Sequence, residues 1–66
     1  MNITEDPRFN STGMGANDAL RELIREHFTE EEAIAIGRRR TFLMNTDAWR
    51  ASDAMRQAIR EAAARG

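Results

Sequence analysis

The sequence predicts a small all-α protein: a three-helix bundle over residues 17–66, preceded by an irregular N-terminal segment over residues 1–16. Three observations carry this. Val, Tyr, Lys and Cys are absent, while Ala, Arg and Glu abound. Strong helix formers therefore dominate over strand formers. Apolar residues recur at helical spacing from Ala16 to Phe28. Thr29-Glu30-Glu31-Glu32 reads as a capping box, which marks the start of a second helix.

Residues 1–16 carry Pro7, Gly13 and Gly15 among Asn, Ser and Thr, the chemistry of turns. Ile3, Phe9 and Met14 are their sizeable apolar side chains after Met1, and the sequence does not say where these pack. The first helix is expected from Asp18 to Phe28, capped by Asn17 or Asp18. Ala16, Ala19, Leu20, Leu23, Ile24, His27 and Phe28 form its apolar stripe. Arg21, Glu22, Arg25 and Glu26 cover the opposite face.

The second helix is expected from the capping box to Met44. Ala33, Ile34, Ile36, Leu43 and Met44 are its candidate core, and its three leading Glu suit the helix dipole. Asn45-Thr46-Asp47 is the next expected break, with Thr46 as cap. The third helix then runs to Arg65. Its stripe of Ala48, Ala51, Met55, Ala58, Ile59 and Ala62 is mostly alanine. Such a stripe allows close helix approach but buries little area, at about 0.8 kcal/mol per CH₂. A chain of 66 residues without Cys has a thin core and no disulfide to support it. A homodimer is therefore expected.

The formal net charge of −1 conceals a polarity. Residues 1–33 carry eight acids against three Arg, and residues 34–66 carry seven Arg against three acids. Such asymmetry suits an interaction surface, or attraction between two halves or two subunits. The leading residues are polar and acidic, unlike a secretory leader. No apolar run approaches the roughly 20 residues of a membrane span. The expected location is cytoplasmic, with no membrane contact. There the glycosylation patterns at Asn2-Ile3-Thr4 and Asn10-Ser11-Thr12 carry no meaning.

Catalysis is not expected. His27 is the single imidazole, and neither Cys nor Lys nor Tyr is present to serve as nucleophile or base. His27 and Glu31 fall short of the three protein ligands of a catalytic zinc, and no cofactor or metal is expected. Two binding surfaces remain. Trp49, Asp53, Arg56 and Arg60 recur at i, i+4, i+7 and i+11, a stripe beside the alanine face. Trp and Arg dominate protein-binding hot spots, so the stripe points to a protein partner. The function expected is that of a helical interaction module, a regulator or inhibitor of a macromolecular partner. Phage-encoded effectors are among the small proteins that fit.

The alternative is nucleic acid. Ala33, Ile36 and Gly37 fall as in a helix-turn-helix, and Leu43 takes the apolar position of a recognition helix. That resemblance implies that Arg39, Arg40, Thr41 and Asn45 face the major groove. Glu32 and Arg38 stand where the motif carries apolar residues. A sequence pI of about 5.7 also opposes phosphate binding.

Overall fold

The computed structural model describes residues 2–65. Its elements are two 3₁₀ turns, Ile3–Glu5 and Pro7–Asn10, followed by α1 (Ala16–His27), α2 (Glu30–Thr46) and α3 (Ala51–Arg65). No strand occurs among the described residues, and the chain is an all-α three-helix bundle.

The N-terminal segment is more ordered than its composition suggests. Asn2 caps the first turn and Asp6 the second, and Pro7 opens the second, where its missing N–H costs nothing. These turns place Ile3 and Phe9 in the hydrophobic core beside Leu20, Leu23, Ile24, Ile36, Met55 and Ile59. A small core of large side chains and a few alanines is thus completed by the segment that precedes the helices.

Arg8 ties this segment to α1. Its guanidinium donates to both carboxylate oxygens of Asp6, from Nε at 3.1 Å and Nη2 at 2.9 Å. It also forks onto Glu26, from Nη1 at 2.7 Å and Nη2 at 2.8 Å. Glu22 lies 3.8 Å from the same guanidinium, so the polar face of α1 serves as a dock. The Arg8 side-chain and backbone donors hold the Asp6 carboxyl at about 2, below its ordinary 3.8. The same guanidinium lowers Glu26. A carboxyl depressed in the folded state stabilises fully above its unfolded pKa. For Asp6 that contribution is lost as pH falls from about 4 through 2. Thermal melts between pH 5 and 2 should therefore decline more steeply for wild type than for Asp6→Asn. Parallel slopes would show that the Arg8–Asp6 pair contributes nothing.

At Gly13 the backbone turns with φ 83°, a conformation natural only to glycine. From there α1 starts at Ala16, earlier than the expected Asp18. Gly15 holds the cap position without a side-chain bond, and Asn17 and Asp18 lie in the first turn. Burial of Ala16 accounts for the earlier start. Phe28 leaves the helix in extended conformation and packs against the core, whereas His27 is exposed rather than on the apolar edge.

The capping box at Thr29 is complete. Glu32 N donates to Thr29 Oγ1 at 3.2 Å, and Thr29 N donates to Glu32 Oε1 at 2.8 Å. Thr29→Ala should cost about 1 kcal/mol. In a domain of this size that lowers Tm by about 4–8 °C. A melt unchanged by the substitution would remove the box as a determinant.

α2 buries Ile36 and Leu43, but Ile34 and Met44, both expected in the core, are exposed. The helix also outruns the expected break. Thr46 does not cap a following helix: its hydroxyl donates backward to the Phe42 carbonyl at 2.7 Å. The reversal comes at Ala48, with φ 58°. Ala48 and Trp49 thus lie in a linker before α3, and Ala48 is exposed instead of belonging to the alanine face. An alanine in this left-handed conformation costs roughly 1–2 kcal/mol, only part of which glycine's extra chain entropy would cancel. Ala48→Gly should raise stability by up to about 1 kcal/mol. A lower Tm would contradict the strain.

Ala54, Ala58 and Ala62 of α3 are buried with Met55 and Ile59 against the rest of the bundle. Of the expected alanine stripe, Met55, Ala58, Ile59 and Ala62 are thus packed within one chain, while Ala51 is half-buried and Ala48 exposed.

Candidate protein-binding surface

The predicted stripe is not a single helix face, because Trp49 precedes α3. The structure nevertheless brings its residues together. Ala48, Trp49, Arg50, Asp53, Arg56 and Arg60 wall an open concavity of about 380 Å³. Two features of the linker place Trp49 there. The left-handed turn at Ala48 redirects the chain, and Trp49 N donates to the Leu43 carbonyl at 3.4 Å. Trp49 stays 36% exposed, so a large apolar surface lies at the edge of the notch. Three Arg against one Asp give the notch a positive character within an acidic protein.

The four predicted residues do different work. Arg56 is 13% exposed and turned inward. Its Nε donates to the Phe9 carbonyl at 2.8 Å, its Nη2 to the Ser11 carbonyl, and its Nη1 to Asp53 at 3.0 Å. It fastens the N-terminal segment to α3, and Asp53 orients it. Arg60 lies over the Phe9 ring, with its guanidinium carbon 5.3 Å from the centroid, and covers that buried side chain. Arg56, expected to meet a partner, instead gives its donors to the backbone carbonyls of Phe9 and Ser11 and to Asp53. Trp49 and Arg50 are the exposed residues of the notch with no side-chain bond among the described residues. Arg50 falls outside the i, i+4, i+7, i+11 pattern because that pattern starts at its neighbour Trp49.

The residues expected to read DNA are also placed. Residues 30–46 form one uninterrupted helix, so the turn required at Gly37 is absent. Arg39 is held by Glu61 of α3, through Nε at 2.9 Å and Nη2 at 3.2 Å, and also lies over Phe42. This pairing, aided by Gln57, lowers the Glu61 carboxyl below its ordinary range. Arg40 reaches along the helix to Met44, and its Nε is buried with no hydrogen-bond partner among the described residues. Thr41 donates its hydroxyl to the Gly37 carbonyl at 3.1 Å. Asn45 is exposed near the end of α2. Arg39 and Arg40 thus lie within the bundle's own packing rather than along a free reading face.

A larger concavity of about 530 Å³ lies between the first 3₁₀ turn, the end of α1 and the end of α3. His27 and Glu32 are on its wall, but the Glu32 carboxylate is engaged in the capping box. No group of three His, Asp or Glu able to hold a metal occurs among the described residues. No helix among them is long and apolar enough to cross a membrane. No family model, curated protein or solved structure matches the chain.

Proposed function

We propose that this protein is a helical protein-interaction module that regulates or inhibits a macromolecular partner by contact, in the cytoplasm and without catalysis. The observation that supports this reading best is the Trp49 notch: a partly exposed Trp beside Arg50, in a concavity with excess positive charge. An indole supplies contact area at little entropic cost, and an adjacent guanidinium supplies directional donors. The fitting partner is a protein segment carrying a carboxylate and an apolar side chain. Arg56 and Arg60 line the notch but also hold the fold, so Trp49 and Arg50 are the residues that recognise.

The test pairs Trp49→Ala with Arg50→Glu and scores partner capture from the source cell beside wild type. Arg50 is exposed and Trp49 only 36% so, and the melt therefore measures what the Trp49 truncation costs the fold; capture, scored at a temperature where the variant is folded, should be lost. Retained capture by the folded double variant would remove the notch as the docking point. The DNA-binding alternative predicts salt-dependent binding to duplex DNA, weakened by Arg39→Ala with Arg40→Ala. No specific feature of the fold favours it, since the turn at Gly37 is missing and Arg39 is paired with Glu61.

A further inference from the structure

On α2 the face turned to solvent carries Glu30, Glu31, Ile34, Gly37, Arg38 and Thr41. Ile34 is 51% exposed in the second turn of the helix, left uncovered by the described residues. Gly37 lies one turn on. A Cβ built there would meet nothing within 4 Å, so the fold itself has no need of glycine at this helix-weakening position. Its absent side chain leaves room for something outside the chain. Glu30, Glu31 and Arg38 flank Ile34 on this face and make no ion pair among the described residues.

These charges are self-complementary. Glu30 and Arg38 are eight residues apart, and Ile34 lies at their midpoint. A second α2 running antiparallel, with the two-fold axis at Ile34, sets Glu30 and Glu31 of each copy beside Arg38 of the other. It also sets Ile34 against its equivalent, with Gly37 admitting close approach. A parallel pairing would instead oppose Glu to Glu and Arg to Arg. An antiparallel pairing centred farther along the helix would bring Arg38 and Arg40 of the two copies together. Isologous contacts of this type close into a dimer.

We propose that the α2 face centred on Ile34 docks a second copy of this chain, antiparallel, through reciprocal Glu30–Arg38 pairs. This assignment is independent of the Trp49 notch, which lies at the far end of α2. It replaces the alanine face of α3, most of which is packed within one chain, as the surface of self-association.

Sedimentation across a micromolar concentration series, in low salt, tests it. Wild type should dimerise. Arg38→Glu and Glu30→Arg should each weaken dimerisation at least tenfold, and a 1:1 mixture of the two should form a heterodimer of wild-type affinity. Melts check that each variant is folded. A second test needs no charge change. The chain has no cysteine, so Ile34→Cys should oxidise to a covalent dimer, while Asn45→Cys, about 16 Å along the helix from the axis, should not. A monomeric wild type, a mixture that stays monomeric, or cross-linking through Asn45→Cys in preference to Ile34→Cys would overturn the proposal.

Discussion

Phe9→Ala should cost about 3–5 kcal/mol, the largest effect expected of any single substitution in this protein. Phe9 is only 2% exposed and belongs to the same hydrophobic cluster as Leu20, Leu23 and Ile59. Truncation removes an aromatic ring from a small core and leaves a cavity among Leu20, Leu23 and Ile59 that the surrounding helices can only partly close. Total stability in domains is about 5–15 kcal/mol, and a chain of 66 residues sits at the low end. The variant should therefore be largely unfolded at 37 °C, as read by helical circular dichroism. Phe9→Leu, which keeps most of the volume, should cost far less. A Phe9→Ala protein that melts within a few degrees of wild type would show that the first ten residues are dispensable to the core.

Arg56→Met should cost about 2–4 kcal/mol, because hydrogen bonds from a charged donor contribute about 1.5–3 kcal/mol each and do not simply add. Methionine keeps an unbranched apolar stem, so the loss reports the guanidinium. Without it, the carbonyls of Phe9 and Ser11 lose their donor, and Asp53 loses its cation. Arg60→Met is the control. Arg60 is exposed and contacts the Phe9 ring by cation–π stacking, worth about 0.5–1 kcal/mol at such a site. Hydrogen exchange should show the amides of residues 3–11 opening first in Arg56→Met. Equal costs for the two variants, with no local opening, would refute the fastening role. The same geometry governs how the notch is probed. Reversing charge at Arg56 releases the N-terminal segment, so lost capture by such a variant would report unfolding rather than recognition.

The sequence by itself determined the local elements of this protein. Composition and the 3.6-residue period define α1 and the buried half of α3, since Leu20, Leu23, Ile24, Met55, Ala58 and Ile59 repeat at helical spacing. The capping box fixed the break between α1 and α2 because its two reciprocal bonds involve residues only three apart. Tertiary structure decided whatever depends on partners distant in the chain. Nothing local announces that Arg56 reaches back to Phe9 and Ser11, or that Arg39 finds Glu61. A helical period gives a side chain's direction but not what fills that space, so Arg56 looks free for a partner from sequence and is not. Ile34 and Met44 look like core for the same reason, yet α3 covers a different face of α2 and leaves them exposed. The end of α2 is not legible in the sequence because Thr46 has a hydroxyl suited equally to capping forward and to bonding back, and the left-handed turn falls on Ala48, a residue with no preference for it. That turn, set by the packing of α3 against α2, is what places Trp49 and Arg50 at the edge of a notch.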